Sequence, residues 1–182
     1  MNLPNKLTIT RIILTFPVVI FLQFGNNTIF AILSLILFVI ASITDYLDGY
    51  FARKYNLISD LGKFLDQISD KFLITATAVM FFNLGMLNVW LLLVIILRDI
   101  LVSGIRMYAA SKEVVIPANY FGKLKTVSQI VLIVFLYIML VFNIETVLIS
   151  ILLQLIVGVL TAGSGIKYLL DSLELFKGDE KK

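Results

Sequence analysis

The sequence predicts an all-α integral membrane protein, a six-transmembrane-helix bundle with both termini cytosolic. Three observations predict it. Of the 182 residues, 60% are hydrophobic and only 15% charged, and the mean hydropathy is +1.01. A water-soluble fold of this size could not cover so much apolar surface, so the bilayer is the expected solvent. Apolar segments recur at about 7–24, 28–51, 61–83, 88–110, 122–143 and 146–171, each close to the roughly 20 residues that cross a bilayer. The turns that six spans place on one side, "FGNNT", "NLGMLN" and "NIET", contain no Lys or Arg. All fifteen Lys and Arg residues therefore fall on or toward the other side, which the positive-inside rule makes cytosolic.

The first segment is interrupted by Pro17, so it is expected to begin as an interfacial helix from about Asn5 and then turn inward. Cationic residues precede its apolar run, but no small-residue cleavage site follows, and a secretory signal does not fit. The second segment is almost free of polar atoms from Phe30 to Ile43 and then carries Asp45 and Asp48. After the polar turn "RKYNLIS", the third is expected to start near Ser59 or Asp60, both good N-cap types. The fourth ends in "LRDILVSGIRMY" and the fifth begins in "YFGKLKT". The sixth carries a small-xxx-small pair, Gly158 and Ala162, a spacing that more often serves packing within one chain. No soluble domain, long linker or repeat is visible, so residues 1–182 read as a single domain with a solvated "KGDEKK" tail.

The chain has no Cys and no His. That excludes disulfides, thiol and imidazole chemistry, haem ligation and zinc sites built on those ligands. Any metal must be held by oxygen, which favours Mg²⁺, Mn²⁺ or Ca²⁺. The stretch Asp45 to Asp70 offers such oxygens. On a helix, Asp45, Asp48, Gly49 and Ala52 stand at i, i+3, i+4 and i+7, on one face. Gly62, Asp66 and Asp70 stand at i, i+4 and i+8, again on one face. Four carboxylates at membrane depth are costly unless a cation neutralises them. Converging from two helices, they suffice for two Mg²⁺-type ions, an arrangement suited to displacement at phosphorus. The small residues clear side chains from each face so that a ligand can lie against backbone. Asp60 is read apart from these four, as a cap.

These positions fill the pattern D-x2-D-G-x2-A-R-x8-G-x3-D-x3-D without departure, with Arg53 as its arginine. The segment resembles the signature of the CDP-alcohol phosphotransferase family. That resemblance implies six transmembrane helices, a cytosol-facing polar cavity and a homodimer. It implies that Asp45, Asp48 and Asp66 ligate two divalent ions, Mg²⁺ or Mn²⁺, and that Asp70 completes the site and acts as general base. Gly49, Ala52 and Gly62 would make room for a cytidine nucleotide, with Arg53 near its phosphates. Three further stretches, "NLPNKLTITR", "RDILVSGIR" and "GKLKT", resemble the bacterial branch of that family that forms phosphatidylglycerophosphate. This implies CDP-diacylglycerol and sn-glycerol 3-phosphate as substrates, CMP as leaving group, and a place in the bacterial cytoplasmic membrane. In that branch the amino-terminal segment, here with Asn5, Thr8 and Arg11, lies by the nucleotide. Partners are then membrane lipids and these two substrates, with no nucleic acid.

The remaining cations bear on the acceptor. Arg98, Arg106, Lys123 and Lys125 lie where the fourth and fifth segments meet the cytosol, and converging cations suit a phosphate-bearing acceptor. The competing reading is that Lys and Arg only anchor helices at an anionic leaflet, which covers Lys112, Lys167, Lys177, Lys181 and Lys182. It suits Arg98 less well, because Arg98 lies deeper and beside Asp99. The same chemistry with inositol phosphate, serine or phosphatidylglycerol as acceptor is the nearest alternative. A small cation transporter is a more distant one, since no charge near the outer side except Glu145 would complete a path. A metal-stapled structural protein would leave the cleared glycine faces unexplained.

Overall fold

The computed structural model describes residues 3–54, 60–112, 114 and 120–177, with side chains for all of these except 3–5, 45–54, 60–61, 63–67, 70, 120 and 174–177. Six helices follow in order: α1 Leu3–Gln23, α2 Thr28–Lys54, α3 Asp60–Asn83, α4 Val89–Ser111, α5 Tyr120–Phe142 and α6 Val147–Lys177. The described turns, after α1, α3 and α5, lie where the sequence predicts them. Asn27 and Asn88 accept from the backbone N–H of Ile29 and Trp90 at 3.0 and 2.8 Å, capping α2 and α4. Gly85, just after α3, has φ of +72°, a left-handed turn that glycine adopts without a Cβ clash.

α1 differs from expectation. It is helical from Leu3 through Pro17 to Gln23, with no break at the proline. Proline costs one backbone hydrogen bond in a helix interior, but helices in apolar surroundings tolerate it when neighbours pack around the turn. The buried side chains of Thr15 and Val18 flank Pro17 on both sides.

The chain forms two compact units. The first comprises Met1–Met86 with Ile133–Thr146. Within it α1 packs against both α2 and α3, and α2 touches α3. Val18, Leu22, Ala31, Phe38, Phe81 and Leu136 are buried. A polar link threads this core. Ser34 Oγ donates to the Val18 carbonyl at 2.8 Å and lies 2.8 Å from Tyr137 Oη. Since Ser34 has one proton, Tyr137 is the donor in the second bond. The Tyr137 ring meets Phe81 edge-on with centroids 4.9 Å apart, a favoured aromatic geometry.

The second unit comprises Leu87–Leu132 and Val147–Lys182, with α4 packed on α6. Leu91, Ile95, Val102, Ile105 and Ala109 recur at the helical period and form the buried stripe of α4. At its amino-terminal end, Asn88 N–H donates to Gln154 Oε1 at 2.8 Å and Gln154 Nε2 to Ser150 Oγ at 3.0 Å.

Among the described residues, three helices are long and apolar enough to cross a membrane: Lys6–Gln23 in α1, Phe121–Phe142 in α5 and Val147–Leu173 in α6. Among the described residues, α2 and α3 carry shorter apolar stretches, Thr28–Thr44 and Lys71–Asn83. α4 matches them in length but carries Arg98, Asp99 and Arg106. Large apolar side chains face outward on every helix, among them Ile29, Phe72, Trp90, Val127 and Leu148. Such a surface fits lipid and not water.

Candidate functional site

Polar side chains gather in each unit, and the two sites are built separately. In the first unit the signature spans the end of α2 and the start of α3. Asp45, Asp48, Gly49, Ala52 and Arg53 are all within the helical backbone of α2, and Gly62, Asp66 and Asp70 within that of α3. Continuous helix through both stretches holds each set on one face by register. The side chains of Asn5, Asp45, Asp48, Ala52, Arg53, Asp66 and Asp70 lie outside the described residues, as does Gly49 beyond its backbone.

What is described beside them is polar and buried. Thr8 and Arg11 on α1 and Ser69 on α3 are almost fully enclosed. Arg11 Nη1 donates to Ser69 Oγ at 2.8 Å. By register, Gly62 and Asp66 stand on the same side of α3 as Ser69, two turns and one turn back respectively. The face of α3 that meets α1 is therefore the face that bears signature residues.

In the second unit α4, α5 and α6 build a charged cluster. Asp99 is 5% exposed and is its anion. Lys125 Nζ from α5 donates to both Asp99 carboxylate oxygens, at 2.7 and 2.9 Å, and Arg98 Nη1 donates to one at 3.0 Å. Arg98 also reaches α6, where its Nε donates to Ser164 Oγ at 3.0 Å. Arg106, two turns further along α4, reaches the same helix one turn on: its Nη2 donates to Tyr168 Oη at 2.6 Å. The guanidinium carbons of Arg98 and Arg106 lie 5.6 and 5.3 Å from the Tyr168 ring centroid, within cation–π range.

Gly165 makes this close packing possible, and Gly122 adjoins it at ordinary contact distance. A Cβ on Gly165 would stand 3.0 Å from Arg98 Cγ, and one on Gly122 would lie 3.6 Å from the Tyr168 ring and 3.7 Å from Arg98 Nη2. Gln129 and Thr161 extend the buried polar zone along α5 and α6.

The four cations expected to converge do so in part. Arg98, Arg106 and Lys125 join the cluster, whereas Lys123 is exposed on α5. Two residues along a helix differ by about 200° in direction, so Lys123 and Lys125 cannot both face α4. Sequence reasoning passed over Ser164, Gly165 and Tyr168. Their signal was nevertheless present. Thr161, Ser164, Tyr168 and Ser172 stand at i, i+3, i+7 and i+11, a buried polar stripe on an otherwise apolar helix.

The balance of charge in this cluster decides what it can hold. Among the described residues, Arg98, Arg106 and Lys125 stand against Asp99. Cations gathered at one place in a membrane helix bundle are costly unless anions answer them. The Arg106 Nε is buried with no hydrogen-bond partner among the described residues.

The chain is similar to known proteins over most of its length. Residues 1–161 match the family model for CDP-alcohol phosphatidyltransferase. A Rickettsia typhi protein is 44% identical over 128 residues, which is 70% of this chain and 71% of the relative. A Bacillus subtilis protein is 40% identical over 141 residues, 71% of this chain and 73% of the relative. Both bear the name CDP-diacylglycerol--glycerol-3-phosphate 3-phosphatidyltransferase.

Proposed function

This chain belongs to the CDP-alcohol phosphatidyltransferase family, and on that premise we propose that it transfers the phosphatidyl group of CDP-diacylglycerol to sn-glycerol 3-phosphate, forming phosphatidylglycerophosphate and CMP. The names of its relatives support the reaction. The observation that carries the acceptor assignment is the gathering of Arg98, Arg106 and Lys125 around Asp99. Cations gathered from α4 and α5 suit the roughly two negative charges of a phosphate monoester.

On the donor side, Asp45, Asp48 and Asp66 would hold two divalent ions, Mg²⁺ or Mn²⁺. An all-oxygen donor set on two touching helices, in a chain without His or Cys, fits such ions. When bound, they supply charge stabilisation at the phosphate oxygens. Asp70 takes the proton of the attacking acceptor hydroxyl as general base. Gly49, Ala52 and Gly62 leave room for the cytidine nucleotide, Arg53 faces its phosphates, and Asn5, Thr8 and Arg11 complete that side. The Arg11 bond to Ser69 would hold α1 against α3 there. The proposed setting is the bacterial cytoplasmic membrane, with six spans, cytosolic termini, a cytosol-facing site and a homodimeric assembly. The Lys- and Arg-free turns support that orientation.

Neutral replacement of the clustered cations tests the acceptor assignment. Arg106→Gln or Lys125→Met is expected to raise KM for sn-glycerol 3-phosphate about ten- to hundredfold, the equivalent of one charge-assisted contact of about 1.5–3 kcal/mol. KM for CDP-diacylglycerol should stay within about twofold, and Lys112→Gln and Lys123→Gln should resemble the parent enzyme. Equal KM values for the acceptor in all four variants would place its phosphate elsewhere.

A further inference from the structure

Arg98 and Arg106 are eight residues apart on α4, so about 12 Å of helix axis separates them. Long cationic side chains on a membrane helix ordinarily extend toward water independently of one another. These two instead converge on one residue of α6, with Tyr168 in contact with both guanidinium groups. Tyr168 is 2% exposed, and its Oη holds Arg106 Nη2 at 2.6 Å. Its backbone carbonyl accepts from Ser172 Oγ at 2.7 Å. Gly165, one turn before it, opens the gap through which the Arg98 stem passes. Tyr168 also lies beyond residue 161, where the match to the family model ends.

We propose that Tyr168 is a positioning residue that determines acceptor selectivity, its ring and hydroxyl aiming Arg98 and Arg106 together at the phosphate of the acceptor. The proposal rests on the acceptor reading above and adds to it the residue that makes two separated cations act as one site. Its physical basis is preorganisation. Two guanidinium groups brought against a single ring repel each other, and the ring face and the Oη bond offset that repulsion before any ligand arrives. A phosphate then meets donors already in place and need not order two flexible side chains on binding. Tyr168 itself touches no reacting atom in this scheme and acts through the arginines.

The test uses the full-length protein in lipid–detergent micelles, with KM for sn-glycerol 3-phosphate, KM for CDP-diacylglycerol and kcat measured for Tyr168→Phe, Tyr168→Leu and Arg106→Gln. Tyr168→Phe keeps the ring and loses the hydroxyl, so an acceptor KM about three- to tenfold higher is expected. Tyr168→Leu loses both, and about ten- to hundredfold is expected. KM for CDP-diacylglycerol should remain within about twofold in each. A purely structural role would instead lower kcat and disturb both KM values together. It would not produce the graded order Tyr, Phe, Leu in the acceptor KM alone. Unchanged acceptor KM in Tyr168→Phe and Tyr168→Leu, with Arg106→Gln raised, would overturn the role of Tyr168 and leave the acceptor site standing. Unchanged acceptor KM in all three would overturn the acceptor site and this proposal with it. If Tyr168→Leu does not fold, the Phe variant alone decides by the same criterion.

Discussion

Asp66→Asn is expected to abolish phosphatidyl transfer, with a loss of turnover on the order of 10³-fold or more. Asparagine keeps the size of the side chain but removes the charge, and a neutral amide is a far weaker ligand for a hard divalent ion. Asp45→Asn and Asp48→Asn should fall equally far, because each removes one charge from the same small set of oxygens. These three should also lose affinity for Mn²⁺, measurable directly on the purified protein without substrate. Asp70→Asn should behave differently. A general base acts in the chemical step, so turnover should be lost while CDP-diacylglycerol still binds. Asp60, the first residue of α3, provides the control, and Asp60→Asn should stay near parental activity as a helix-terminal charge. An Asp60 as indispensable as Asp66 would contradict the assignment of faces.

Chelation should have an effect of similar size. In excess EDTA, activity is expected to fall below detection and to return when Mg²⁺ or Mn²⁺ is added beyond the chelator. No His or Cys exists to retain a softer ion through this treatment. The mutations and the chelator should also be linked. A carboxylate variant with residual activity should need more metal for half-maximal rate than the parent does. Full turnover in a rigorously metal-free sample would end the divalent-ion reading of the signature.

The helices were legible from the sequence to within a few residues at most ends, because each is an apolar run bounded by turn-forming or polar residues. Asn27, Gly85 and Asn88 illustrate the signals, two as side-chain caps and one as a left-handed turn. Pro17 was misleading for a specific reason: its local penalty is the same in every environment, but a packed helix in apolar surroundings has no better partner for its backbone than itself. The acidic faces of α2 and α3 were legible as helical register, and the structure extends helix through both. Membership of the charged cluster was only partly legible. Charge and segment end pointed to Arg98, Arg106, Lys123 and Lys125 alike, whereas the direction of each side chain depends on which face of α5 meets α4. That rotation is set by packing, and it enclosed Lys125 and left Lys123 exposed. Tyr168 was overlooked because one aromatic in a long apolar helix reads as packing. Only its alignment with Thr161, Ser164 and Ser172 distinguishes it.

Acceptor identity is the point on which the functional reading rests most heavily, and one assay addresses it. Purified protein in micelles with Mg²⁺ and radiolabelled CDP-diacylglycerol would be given sn-glycerol 3-phosphate, inositol phosphate, serine or phosphatidylglycerol in parallel reactions. The expected result is label in phosphatidylglycerophosphate, with CMP released in equal amount, in the glycerol 3-phosphate reaction and at least about 100-fold less product in the others, a difference of about 2.7 kcal/mol in discrimination. Transfer to serine or phosphatidylglycerol at a comparable rate would contradict the role given to Arg98, Arg106 and Lys125, and no transfer to any acceptor would contradict the reaction itself.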